Sequence, residues 1–391
     1  MTSLNLKGLT FKELERNFFE LGCKMAKELL KQFLENADQE LADSRNKKEL
    51  RHSGKRKTTI KTMMGEVTFK RNIYKKINTD EKSSYLYLLD KALGFETIGV
   101  ISPNLVEKIV ELSCQKSYRQ VAQTVSELTN QTISHQGVWD IIQIAGKRQQ
   151  EKELKTIKAH KNNELCGKRE VPVLFEEADG IWLSMQRKSR KKKGNGRKEL
   201  KIGIAYEGWM PRYSSSKEYK TVGKTVYAGY HKSKEFQALR EATIASKYNT
   251  DEIKYRILNG DGAAWIKHDH DPKTGIFQLD PYHLAQSIVR NVSDKRARYH
   301  IKRWLKDGQF DKVYNKIEEL KYQCDGLVSK IKRLNNLESY IRNNQEGIIS
   351  YKDKKDIELP SPPPGLEYRS LGTMEKNVDL FAKRMKGAKS W

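Results

Sequence analysis

The ten residues Val171 to Gly180, VPVLFEEADG, decide how the larger part of this chain is read. An aliphatic run ending in acids beside a glycine reads as a buried strand reaching its end. A basic loop follows, Arg187 to Lys201 (RKSRKKKGNGRKELK), with nine Lys or Arg and one Glu. KIGIAYEGWM and KTVYAGYH supply two more strands, and SKEFQALREATIASKY a helix. YRILNGDG is a strand breaking at Gly260, AAWIKHD a short helix, GIFQLD a fifth strand, and PYHLAQSIVRNVSDKRARYHIKRWL a helix. The order is three strands, helix, strand, short helix, strand, helix.

That order fits an α/β fold of the ribonuclease-H-like arrangement, an antiparallel meander followed by parallel crossovers. Upstream, Phe11 to about Asp43 carries Phe11, Leu14, Phe18, Leu21, Met25, Leu29 and Phe33 at three- and four-residue spacing, which predicts a long amphipathic helix. Thr58 to Lys76 alternates around Gly65 and predicts a small β-hairpin with Val67, Phe69 and Ile73 on one face. Its other face carries Lys70 and Lys76, suited to a phosphate backbone or simply solvated. Residues 102–150 read as all-helical. Ser102 and Pro103 open one helix, Ser134 caps another, and the pair around the stretch TNQTI resembles a helix-turn-helix. Arg119, His135 and Gln136 are then candidates for phosphate or base contacts. The expected organisation is a helix and hairpin region over 1–100, a helical DNA-binding region over 101–165, and a catalytic domain over 166–391. A helical insertion would occupy about 285–350, before the break at PSPPPG and a last helix from Thr373.

The chain has 391 residues, 75 Lys plus Arg against 50 Asp plus Glu, and a formal net charge of +25. Such an excess suits a long polyanion, whose counterions are released as phosphates are neutralised. The lack of a long apolar run or a secretory start argues against a membrane and for a cytoplasmic, nucleoid-associated protein. Cys23, Cys114, Cys166 and Cys324 form no C-x-x-C pair, which argues against structural zinc or a disulfide framework.

Phosphoryl transfer on DNA commonly uses two divalent cations, Mg²⁺ or Mn²⁺, held by a few carboxylates. Asp179 at the end of the first strand and Asp261 at the end of the fourth would be neighbours in the expected sheet. Glu375, in the first turn of the last helix, could complete the set. Each has a plainer reading: an Asp beside Gly forms turns, and a Glu in a first turn serves the helix dipole. Glu176 and Glu177 are rivals of Asp179; alternation puts Glu177 on its face and Glu176 on the opposite one. Asp280 and His283 open the helix after the fifth strand, either as cap and satisfied histidine or as groups that orient a phosphate or pair with each other. His268 to Asp271 reads as a solvated loop rather than a metal cluster.

TMMGEVTFKRNIY (Thr62 to Tyr74), EEADGIWLSMQ, NGDGAAWIK, LDPYHLAQ and GTMEKNVD together resemble bacterial insertion-sequence transposases of the Lre type, which are similar to Mutator-like DDE transposases. The resemblance covers nearly the whole chain. It implies a ribonuclease-H-like catalytic domain with a helical insertion before the third acid. It also implies catalytic and metal-ligating roles for Asp179, Asp261 and Glu375, and a D-x-x-H element at Asp280 and His283. Arg187, Lys188, Arg190, Lys191, Lys192 and Lys193 of the basic loop would hold double-stranded DNA, and the protein would act as a homo-oligomer on DNA. Proteins of that type continue well past the M-E-K-N-V helix, whereas this chain ends 16 residues after Glu375, so a truncated C-terminus is expected. Two functions stay open: metal-dependent cleavage and strand transfer at element ends, or non-catalytic occupation of those ends. A nuclease acting on RNA is a third.

Overall fold

The computed structural model of the protein describes residues 10–77, 85–94, 101–185, 196–267 and 275–386. Two compact units emerge, one of residues up to 150 and one from residue 151 onward. The Arg187–Lys193 run and the His268–Asp271 cluster lie outside the described residues.

In the first unit Thr10 and Glu13 form a capping box that starts α1 (Phe11–Ser44). An antiparallel hairpin follows, β1 (Leu50–Thr62) and β2 (Gly65–Lys76), with a register irregularity between His52 and Lys55. Leu34 of α1 packs with Ile60, Val67, Phe69 and Leu89, the last from the short α2 (Leu88–Ala92). The buried Asp38 carboxylate accepts from the backbone N–H and side-chain amide of Asn72 at 2.7 and 2.8 Å, locking helix to hairpin. Two expectations need correcting. The hairpin's first strand begins at Leu50, not near Thr58. After Phe69 the buried side of β2 passes to Asn72 and Tyr74, leaving Ile73 half-buried. The α1 face that meets the hairpin carries Leu30, Leu34, Ala37 and Leu41, while Phe11, Phe18, Leu21, Met25, Leu29 and Phe33 are exposed.

Three helices follow, α3 (Pro103–Ser113), α4 (Tyr118–Leu128) and α5 (His135–Lys161), the residues of the last beyond 150 belonging to the second unit. Each start is local chemistry. Ser102 accepts from Leu105 N–H ahead of Pro103, Ser117 and Gln120 form a capping box, and Ser134 accepts from Gly137 N–H. Leu105, Ile109, Val121, Val125, Val138 and Ile141 form their common core.

The second unit is built on a mixed five-stranded sheet in the order β7-β4-β3-β8-β9. Its strands are β3 (Val173–Ser184), β4 (Arg197–Tyr206), β7 (Thr225–Gly229), β8 (Tyr255–Gly260) and β9 (Gly275–Leu279). Between β4 and β7 lies a small hairpin, β5 (Gly208–Pro211) with β6 (Tyr219–Val222); sequence reading ran β5 into the KIGIAYEGWM strand and passed over β6. Gly208, at φ +148°, turns the chain out of β4, and four-residue strands are too short to show a period of two. β3, β4 and β7 pair antiparallel; β3, β8 and β9 pair parallel. The connections are α6 (Ser233–Ala245) and α7 (Ala264–Lys267). Then come α8 (Pro281–Asn291), α9 (Lys295–Lys306), α10 (Phe310–Tyr322), α11 (Val328–Asn343), α12 (Gln345–Ile348) and α13 (Met374–Lys386).

Both sheet faces are covered. Phe175, Ile181, Ile202, Ile204 and Ile257 form one core with Tyr351 and Met374. Ala178, Leu258, Phe277 and Leu279 form the other with α8 to α12. Among the described residues no helix is long and apolar enough to cross a membrane.

Candidate active site

β3 and β8 run parallel and stay paired up to Ala178 and Gly260. The next residue on each is an aspartate, so Asp179 and Asp261 come together because two strands stop pairing at the same level. β3 itself does not end there: Asp179 remains paired with Ile202 of β4, and the strand continues to Ser184. The gap therefore opens only on the β8 side.

Each aspartate is oriented locally. Asp179 Oδ1 accepts from Gly180 N–H at 2.7 Å, and Asp261 Oδ1 accepts from Ala263 N–H at 2.9 Å. Among the described residues the Oδ2 atom of each accepts no hydrogen bond. Gly262 has φ +88°, and a Cβ there would lie 2.4 Å from Asn344 Oδ1, so packing as well as backbone freedom requires glycine. At Gly180 an added Cβ would meet the Glu199 carboxylate; its openness serves a neighbouring strand.

The next strand end adds a third carboxylate. Asp280 is buried at the N-terminus of α8, where Oδ1 accepts from Tyr282 and His283 N–H at 2.8 and 3.3 Å. Its Oδ2 accepts from the Asn259 amide at 3.1 Å. Asp280 is thus a helix cap, and His283 turns elsewhere: its Nε2 stands 4.0 Å from Asp179 Oδ2. Burial pushes the Asp179 carboxyl up to about 6; the Gly180 N–H and His283 pull it down, and the Asp261 and Asp280 charges push it up again. A carboxyl whose charge is disfavoured chiefly by burial, and further by two neighbouring acids, gains from any cation that joins it.

Glu177 sits one turn of the pleat back from Asp179 on the same face and has a different task. Its fully buried carboxylate accepts from Tyr206 Oη at 2.5 Å, the Asn259 amide at 3.2 Å, and the backbone N–H groups of Gly372, Thr373 and Met374 at 3.1 to 3.2 Å, with the Thr373 hydroxyl as a sixth donor. It is an N-terminal anion for α13, supplied from the sheet. Glu177→Ala strips these donors inside the core, at about 1–3 kcal/mol for a donor left unmatched. The expected result is loss of α13 docking, read as faster tryptic cleavage at Lys383 and Arg384; unchanged cleavage would count against that role.

Glu375 is exposed on the first turn of α13, and no described contact joins it to the Asp179–Asp261 pair. No three His, Cys, Asp or Glu side chains among the described residues converge as a metal-holding group. Arg119, His135 and Gln136 are exposed in the first unit, Arg119 and Gln136 on the first turns of α4 and α5. Three contributors carried no sequence signal: Asn259, which bridges Glu177 and Asp280; Thr373; and Tyr340 of α11, whose hydroxyl donates to the Asp261 carbonyl at 2.8 Å. A tyrosine on the inner side of a helix 79 residues away reads as core. Sequence reading ran α8 and α9 together as one helix, where the structure breaks them before the Asp294 cap. It also gave no role to α9, whose outward face presents Lys295, Arg296, Lys302, Arg303 and Lys306 with Tyr299.

A sequence model for an uncharacterised protein family, UPF0236, matches residues 4–391. A UPF0236 protein of Caldanaerobacter subterraneus subsp. tengcongensis is 26% identical over 361 residues, 90% of this chain and 70% of that protein. Another from the same organism, also 26% identical over 361 residues, has a name that joins eleven loci. A UPF0236 protein of Streptococcus gallolyticus, named for the vanSb 3′ region, is 28% identical over 365 residues, 87% of this chain and 72% of that protein. The chain spans about 70% of the length of these relatives. It belongs to the UPF0236 family.

Proposed function

We propose that this chain is a DDE-type DNA transposase that cuts and joins DNA at the ends of its own mobile element. The observation that carries the reading is the Ala178–Gly260 register, which sets Asp179 and Asp261 side by side with Asp280 and His283 at the next strand end. The meander-then-parallel strand order supports a ribonuclease-H-like reading of the second unit. The name joining eleven loci for one relative supports a gene that multiplies within a genome.

The donor set suits a hard divalent cation: two half-buried carboxylates, each with one oxygen outside its local hydrogen bond, leave the remaining positions to water and phosphate. Asp179 and Asp261 would hold Mg²⁺ or Mn²⁺, which when bound activates the attacking oxygen and stabilises the leaving one. This chain's own residues supply the rest. Gly180 and Ala263 N–H fix the two carboxylates, and Tyr340 holds the Asp261 backbone. His283 stands where its ring can contact a phosphate oxygen beside Asp179 or hold that carboxylate's charge.

The test is nicking of a labelled fragment carrying the DNA that flanks the protein's own gene. Strand cleavage that requires Mg²⁺ or Mn²⁺ is expected. Salt-sensitive binding of those ends with no cleavage under either metal would sink the enzymatic reading. It would favour the second one, a non-catalytic occupant of element ends, which the exposure of Glu375, with no contact to the aspartates among the described residues, supports.

Duplex binding itself is expected to use α9. Among the described residues its outward cations meet a single acid, Asp307, 3.9 Å from Arg303. Replacing Lys295, Arg296, Lys302 and Arg303 by Ala should weaken binding to all sequences alike. The slope of log K against log salt should fall by about 0.9 for each phosphate that is no longer neutralised. Fluorescence anisotropy over a salt series measures this, and an unchanged slope would remove α9 from the interface.

A further inference from the structure

We propose that the exposed apolar stripe of α1 is the surface through which two copies of this chain associate. α1 has two apolar sides. Leu30, Leu34, Ala37 and Leu41 face the hairpin. Roughly 130° away round the helix run Phe11, Phe18, Leu21, Met25, Leu29 and Phe33, exposed by 78, 52, 51, 60, 65 and 62%. A helix that rests one face on a core ordinarily turns a polar face outward. This one turns out three phenylalanines, with a fourth, Phe19, at the margin.

Size and shape both favour a second copy. At about 100 Å² exposed for each large side chain the stripe offers roughly 700 Å², close to what each partner buries in a standard stable interface. An isologous contact must be self-complementary, the same patch meeting itself. Gly22 lies midway between Phe11 and Phe33, and a Cβ added there would meet nothing within 4 Å. The stripe therefore has a gap at its centre, flanked by Leu21 and Met25. Two helices crossing there can bring their backbones close while each fills the other's flanks. The positive charges of this segment, Lys12, Arg16, Lys24, Lys27 and Lys31, lie round the helix from the stripe. The stripe's one charged member, at its edge and at the angle of Phe33, is the acid Glu15, which leaves the stripe unsuited to a polyanion.

This association needs no DNA and stands or falls separately from the cleavage reading. Light scattering of the full chain at high salt, without DNA, should give the mass of two chains. Leu21→Glu with Met25→Glu should give the mass of one, with unchanged circular dichroism, because neither side chain belongs to the core of its own chain. In a chain whose exposed Cys114 and Cys166 are Ser, Gly22→Cys should form a disulfide-linked dimer on mild oxidation. A wild-type monomer would overturn the proposal, including one that instead binds phosphatidylglycerol vesicles through this helix. So would a dimer that survives the double substitution.

Discussion

Asp179→Asn and Asp261→Asn are each expected to reduce metal-dependent nicking by about a thousandfold or more while leaving DNA affinity within a few-fold of wild type. Removing one charged ligand costs several kcal/mol of stabilisation at the reacting oxygens, and each 1.36 kcal/mol is a factor of ten in rate. Binding should survive because the cations that meet phosphate belong to other elements, α9 among them. Neither substitution should unfold the chain, since Asn keeps the size of Asp and can still accept from Gly180 or Ala263 N–H. The decisive comparison is cleavage against affinity on one labelled duplex with Mg²⁺ or Mn²⁺. Equal loss of both would mean that the pair is structural. Full cleavage by either variant would remove that carboxylate from the chemistry. Glu375→Gln belongs in the same series: full activity there would exclude this residue as the third acid.

Glu176→Ala is expected to cost about 3–5 kcal/mol, the usual penalty for leaving buried charge uncompensated. Glu176 is fully buried and accepts from Arg240 Nε at 2.6 Å and from Arg256 Nε and Nη2 at 2.7 and 3.2 Å. Arg256 also clamps Glu241 with two hydrogen bonds, 2.6 and 3.0 Å, so β3, β8 and α6 share one network. Burial alone would raise the Glu176 pKa, but the Arg240 and Arg256 charges and their hydrogen bonds outweigh it and hold the carboxyl well below the usual range. A folded pKa below the unfolded one means that the native state binds fewer protons as pH falls. The stabilisation is fully present above the ordinary glutamate range near pH 4.3 and is lost as pH drops through the folded value. Denaturant midpoints of wild type and Glu176→Gln should therefore converge as pH falls through the acid range and differ most near neutrality. A constant gap at all pH values would show that the carboxylate's charge is not what stabilises the fold.

These residues mark how far sequence reading reaches. The starts of α3 and α5 were legible because capping acts over three residues, Ser102 with Leu105 and Ser134 with Gly137, and α1 was legible from its apolar spacing. The five sheet strands were legible because strands this apolar or this alternating have few other solutions. So was the adjacency of Asp179 and Asp261, since it needs only that two neighbouring parallel strands stop pairing at one level.

What lay beyond reach depended on partners far along the chain. Glu177 looked like a rival of Asp179; only the arrival of Gly372 to Met374, 195 to 197 residues later, makes it the anchor of α13. Asp280 and His283 were both noticed, but their roles separate only once α8 is set on the sheet, capping with one and turning the other toward Asp179. The α1 periodicity announced apolar residues without saying which side would be covered, and the hairpin took the other side. Charge, alternation and capping are written in neighbouring residues because the forces behind them act over one or two turns. Which face is buried, and which of two adjacent carboxylates stays open to solvent, is decided by distant segments competing for the same surface, and only the tertiary structure records the outcome.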